Sequence, residues 1–221
     1  MDRPPSRATP GQDPSAESSS AHGPRTTDHP AQLIHFSADE ATGEATLPLA
    51  GSHQLANLEL ALAGAAALAR NGLAPSLSAD AVRRGIEDVS WPGRLQWCAH
   101  DGRRLLLDGA HNREAIAALA AALDAMDLSG KLHLLFSCLD DKPIESMAAL
   151  LRPRVVGVTV APIRSPRARP LDELAAAFPG CRSAAGVSIA LQALPADLPT
   201  LVTGSLRLVG EVLAGSGGAD G

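Results

Sequence analysis

A chain of 221 residues has room for one good-sized domain or two small ones, and 45% apolar residues at a mean hydropathy of +0.05 suit a globular protein. A net charge of −5 gives no electrostatic footprint for nucleic acid or an anionic membrane, which argues against both partners. No apolar run approaches the roughly 20 residues of a membrane span, the N-terminus lacks the apolar centre of a signal peptide, and three scattered cysteines (Cys98, Cys138, Cys181) argue against a disulfide framework or a zinc site, so a cytoplasmic protein is expected.

Aromatic residues make up only 2% of the chain, so Ala and Leu must fill the core. Residues 1–30 are Pro, Ser, Arg, Asp, Gly and Thr with almost no large apolar side chain, and such a segment cannot offset its ordering entropy. It reads as disordered, a tail or a coding artefact, and its His22 and His29 have no metal-ligand spacing. Two edge strands are expected at 33–36 and 45–49 around a turn at 39–43. Ser52 then reads as the N-cap of a helix carrying Leu55, Leu58, Leu62, Ala65, Ala66 and Ala69, stopped by Gly72. Gln54 and Asn57 lie one turn apart on it, and their amides either read a base edge or merely cap and face water. A second helix follows from Ser78, with Val82 and Ile86 as its buried stripe.

Trp91-Pro92-Gly93-Arg94 breaks the helical pattern, and an Arg beside so rigid a turn is suited to grip a phosphate bidentately. A hairpin over 95–100 and 103–108, turned at Asp101-Gly102, leads into Asp108-Gly109-Ala110-His111-Asn112. Three leucines before this pentapeptide form a strand, and helical periodicity over 113–126 follows it. The loop therefore lies at the carboxyl end of a strand and faces a helix N-terminus, where anions and nucleotides collect. The competing reading makes Asp108 a helix cap, with His111 and Asn112 solvated.

Beyond it the chain alternates strand and helix: strands at 132–137, 155–161, near Cys181 and at 200–203, helices at 144–151, 171–178, 187–194 and 206–213. That rhythm predicts an α/β fold, a Rossmann-like and mostly parallel sheet with helices on both faces. Loops after parallel strands share one edge of the sheet, so the loops carrying Asp141-Lys142 and Thr203-Gly204-Ser205 should join the Asp108 loop there. Lys142 is one of only two lysines, and its alternative is a solvated charge; Thr203 and Ser205 could equally be helix caps. His35, His100 and His133 read as packing or surface residues.

The ordered set Gly51-Ser52-His53-Gln54-Leu55-Ala56-Asn57, Trp91-Pro92-Gly93-Arg94-Leu95-Gln96, Asp108-Gly109-Ala110-His111-Asn112, Asp141-Lys142, Arg167-Ala168 and Val202-Thr203-Gly204-Ser205-Leu206 resembles the folylpolyglutamate synthase/dihydrofolate synthase branch of the Mur ligase superfamily. That family phosphorylates a carboxylate with ATP and lets the amine of glutamate attack the acyl phosphate. The resemblance implies that Asn57 contacts adenine, Arg94 the phosphates, Asp108 the ribose and His111 the phosphate end of the nucleotide. Lys142 and Ser205 would lie toward glutamate and the acyl phosphate, and His111 and Lys142 would be the catalytic pair.

The family's G-x-x-x-x-G-K-[ST] phosphate loop is absent from the sequence. The resemblance therefore implies the carboxy-terminal part of such a ligase: a small helical remnant of the central domain over 31–90, the glutamate ligase domain over 91–214, and a flexible tail over 215–221. No metal ligand is assigned, the Mg²⁺ that accompanies ATP being expected in the missing ATPase domain. The implied partners are ATP, a folate or dihydropteroate and glutamate. The chain is expected to be a monomer that needs the ATPase domain and is inactive alone. The other readings left open are a non-catalytic α/β binding module and a cell-wall-type ligase.

Overall fold

The computed structural model describes residues 31–215; the expected disordered stretch with His22 and His29, and the tail beyond Gly215, lie outside them. The first two strands, β1 (Gln32–Ala38) and β2 (Ala41–Leu47), form an antiparallel hairpin paired from Gln32↔Leu47 to Ala38↔Ala41. The turn is tighter than the sequence suggested, because Asp39 takes the left-handed conformation itself and Gly43 stays in the strand. Gly43 lies under the Phe36 ring, where a Cβ would come within 2.9 Å of Cζ. Helix α1 (Ser52–Arg70) follows, capped at its start by Gly51 at φ 95° rather than by Ser52, which is already helical. Helix α2 (Ala79–Glu87) starts as expected: the Ser78 hydroxyl accepts the Ala81 N–H at 3.2 Å, and Val82 and Ile86 are buried.

The remaining strands are β3 (Gln96–His100), β4 (Arg103–Leu107), β5 (Leu132–Phe136), β6 (Val155–Val160), β7 (Arg182–Ser183) and β8 (Thr200–Thr203). They make one sheet in the order β3-β4-β8-β5-β6-β7, parallel except for β3. Asp101 and Gly102 both have positive φ, which is what the two-residue turn between β3 and β4 demands. The central strands β4, β5 and β8 are buried on both faces and alternate between them: Leu106, Leu134, Phe136 and Leu201 pack toward one cluster, Leu105, Leu107, Leu135 and Val202 toward another. Helices α3 (Arg113–Ala125), α4 (Ile144–Leu151) and α5 (Leu171–Ala177) cover the first face. Helices α6 (Val187–Gln192) and α7 (Leu206–Gly215) cover the second.

A third cluster, around Phe36, Leu47, Leu49, Val82 and Ile86, belongs to the hairpin, α1 and α2. Among the described residues, no helix is long and apolar enough to cross a membrane.

Candidate functional site

Because β4, β8 and β5 are parallel neighbours, the loops that leave them crowd one edge of the sheet. The Asp108 N–H donates to the Val202 carbonyl at 3.0 Å, and the Gly204 N–H donates to the Ala110 carbonyl at 3.0 Å. Gly204 has φ 105°, and a Cβ there would stand 2.4 Å from the Ser137 carbonyl oxygen, so the loops after β8 and β5 touch through a glycine. The Asp108, Ser205 and Lys142 loops thus share an edge, as a parallel sheet requires.

A cavity of about 560 Å³ opens between this edge and α1. His53, Gln54, Asn57, Arg94 and Asp108 form its polar side, and apolar residues including Leu49, Leu58, Ile86 and Leu119 form the rest. Mostly apolar walls with a few converging polar groups are the usual form of a small-molecule site. The amides of α1 are connected: Asn57 Nδ2 donates to Gln54 Oε1 at 3.1 Å, and Gln54 Nε2 lies 3.1 Å from His53 Nε2. Arg94 places its guanidinium 5.8 Å from the centre of the exposed Trp91 ring.

Asp108 is 4% exposed, and its two oxygens accept the Ala110 N–H at 2.9 Å and the Leu95 N–H at 3.1 Å. Burial pushes its pKa above the ordinary carboxylate value, with those hydrogen bonds and the charges of Arg94 and His53 acting the other way. It does not cap α3; Asn112 does, accepting the Ala115 N–H at 2.8 Å. Gly109 lets the loop pass under its neighbours: a Cβ would fall 2.2 Å from Leu206 Cδ2 and 3.4 Å from Arg94 Nη1.

His111 lies in the same loop but not in the cavity wall. Its Nδ1 sits 2.9 Å from the Gly109 carbonyl, which can only accept, so Nδ1 is the donor in this contact. Lys142 also stands outside the cavity, half-buried and 3.3 Å from Asp141. Burial opposes ionisation of Asp141, but the Lys142 hydrogen bond and the charges of Lys142 and Arg167 prevail and lower its pKa. Arg169, missed from sequence, ties down the Lys142 loop by donating to the Asp140 carbonyl and, at 2.7 Å, to the Lys142 carbonyl. Ser205 is buried, and its hydroxyl accepts the Arg207 N–H at 3.1 Å at the start of α7.

Asn57, Arg94 and Asp108 are therefore brought together in one cavity; His111 is on the Asp108 loop but outside the cavity wall, and Lys142 and Ser205 are farther along the edge. Sequence reasoning passed over His53 and Trp91 as site residues, and the only signal for either was its place inside a quoted motif. His133 is buried, with Nε2 2.8 Å from Thr159 Oγ1, and burial lowers its pKa. Among the described residues, no group of three or more His, Cys, Asp or Glu is placed to hold a metal ion.

The sheet is mostly parallel, its strand-end loops face a polar-tipped cavity, and residues 93–206 match the family described as Mur ligase, glutamate ligase domain. The chain belongs to that family and is related to the folylpolyglutamate and dihydrofolate synthases. It is 31% identical over 192 residues to a probable bifunctional folylpolyglutamate synthase/dihydropteroate synthase of Haloferax volcanii, covering 83% of this chain and 22% of that protein. The folylpolyglutamate synthase of Mycobacterium tuberculosis, solved in complex with ADP, superposes with a TM-score of 0.64 at 28% identity, covering 85% of this chain and 47% of that one. Escherichia coli FolC in complex with DHPP and ADP gives a TM-score of 0.62 at 26% identity over 82% of this chain and 45% of that one. The chain thus spans less than half the length of these relatives.

Proposed function

We propose that the chain is the carboxy-terminal part of an ATP-dependent ligase that joins glutamate to a folate, and that the cavity beside α1 takes the adenine nucleotide. The observation that carries this reading is the convergence of Asn57, Arg94 and Asp108, from three separate segments of the chain, on one cavity. The apolar wall suits a base, the Asn57 amide can pair with its edge, and the Arg94 guanidinium offers phosphate oxygens a planar fork. A carboxylate has about four acceptor positions, and the backbone of Leu95 and Ala110 supplies donors for two of Asp108's, which leaves capacity for a ribose hydroxyl.

Bound ATP supplies the phosphoryl group that activates a substrate carboxylate. His111 and Lys142, on the same edge, serve the phosphate and acyl-phosphate side, and Ser205 lies toward glutamate. Oriented charge where phosphate charge develops is the main requirement of such chemistry. Among the described residues, no cluster of carboxylates or histidines fits a Mg²⁺ site. Folate or dihydropteroate and glutamate are the proposed partners, the cytoplasm the proposed location, and a polypeptide carrying the phosphate loop is required for turnover.

Titration of the 221-residue chain with ADP tests the site. Arg94→Ala should weaken binding about tenfold, the worth of one charge-assisted contact, and Asn57→Ala should weaken ADP and adenosine alike. Equal affinity in wild type and both variants would remove the assignments. Glutamate incorporation dependent on ATP and folate by the purified chain alone would overturn the requirement for a second domain.

A further inference from the structure

Arg94 stands between two residues in the left-handed region, Gly93 at φ 75° and Leu95 at φ 44°. A leucine keeps such a conformation only where its surroundings over-determine it. Here they do. The Leu95 side chain is 1% exposed in the sheet's core, and its N–H donates to Asp108 Oδ2. The Gly93 carbonyl accepts the Gly109 N–H at 2.8 Å, and a Cβ on Gly93 would lie 2.6 Å from Val209 Cγ1.

The remaining tie is the Gly93 N–H, which donates at 2.7 Å to Gln96 Oε1. Gln96 is the first residue of β3 and only 2% exposed. A buried amide is costly unless its polar atoms are engaged, and an apolar side chain would fill that space more cheaply. What the amide supplies is a fixed acceptor, mounted on a strand, for the turn that presents Arg94.

We infer that Gln96 is a positioning residue for the nucleotide site: its amide oxygen locks the Gly93–Leu95 turn and so aims the Arg94 guanidinium at the phosphates. This rests on the nucleotide reading above. Gln96 does not line the cavity and acts through the turn it holds, so its removal should be felt first by the phosphates that Arg94 grips and far less by the base.

The test is titration of ADP and of adenosine into the full chain as wild type, Gln96→Met, Arg94→Ala and the double variant. Gln96→Met should weaken ADP about tenfold while leaving adenosine unchanged within about twofold. The double variant should bind ADP no more weakly than Arg94→Ala, because the two residues act as one unit. A second measurement needs no variant: by hydrogen exchange in the wild type, the Gly93 amide should be protected as well as the β4 amides. Unchanged ADP affinity in Gln96→Met, equal losses for ADP and adenosine, additive losses in the double variant, or a rapidly exchanging Gly93 amide would each overturn the inference while leaving the nucleotide site standing. A wild-type chain that binds no ADP would overturn the nucleotide reading, and this one with it.

Discussion

In the six-stranded sheet Leu105, Leu134, Leu135 and Leu201 are fully enclosed, whereas α1, a helix with Glu59 as its only charge before Arg70, buries just Gln54 and Ala66. The difference lies in layering. Helices lie on both faces of the sheet, so the alternating residues of its central strands find a cluster on either side. Helix α1 rests on the hairpin by one flank and leaves Leu60 and Leu68 in solvent. From Leu60 to Ala69 the helix has no polar side chain, and a helical stretch apolar all round is suited to the inside of a larger body. The cavity falls on the seam between the self-contained part and the open one, so the wall proposed for the base is the less enclosed half.

The largest effects should fall in the sheet. Leu134→Ala leaves a hole in a central strand with helices on both sides, and urea unfolding should register a loss of about 3 kcal/mol. Leu58→Ala, on half-buried α1, should cost clearly less; equal losses would break the contrast. Gly204→Ala comes next, at about 2 kcal/mol, since a left-handed φ and a backbone oxygen both stand against a Cβ. Ser78→Ala, which removes the α2 cap, should cost about 1 kcal/mol in the same assay.

The sheet was the legible part, because strands enclosed on both faces read as continuous apolar runs and each is followed by a periodic helix. The shared loop edge followed from parallel topology alone. The hairpin turn was read too long because Gly43 resembles a turn residue; the cross-strand Phe36 ring explains it better, and a ring contact leaves no local signature. Ser52 looked like a cap, but Gly51 had already set the entry angle. Of the site, the loop residues were legible by motif and their connections were not. Nothing in the string links Asp108 to Leu95 or Gln96 to Gly93, since those bonds depend on where the β3–β4 hairpin folds back.

Asp108 allows a test of the seam itself, through a slope rather than a midpoint. Its carboxyl has a pKa raised above 3.8 in the folded chain, so the folded state holds the proton more tightly than the unfolded one. Its contribution is therefore most favourable at and below pH 3.8 and declines as pH rises through the raised value. Asp108→Asn removes that titration, and its amide nitrogen can no longer accept one of the two backbone N–H groups, so it should be the less stable protein. The gap between wild type and Asp108→Asn, followed by urea unfolding across pH, should narrow as the wild-type carboxyl ionises. A gap independent of pH would show that burial does not disfavour the charge there.

The smallest effect on stability should come from the open face of α1. Leu60 and Leu68 are 75% and 49% exposed, so Leu60→Gln and Leu68→Gln together remove little that folding has buried, and unfolding midpoints should move by no more than about 0.5 kcal/mol. Association is another matter, because the same leucines add exposed apolar area to the surface of the molecule. Light scattering against concentration should show wild type gaining mass where the double variant does not. Cooperative destabilisation of the whole chain by the pair would mean that α1 is covered after all, and the contrast between an enclosed sheet and an open helix would fall.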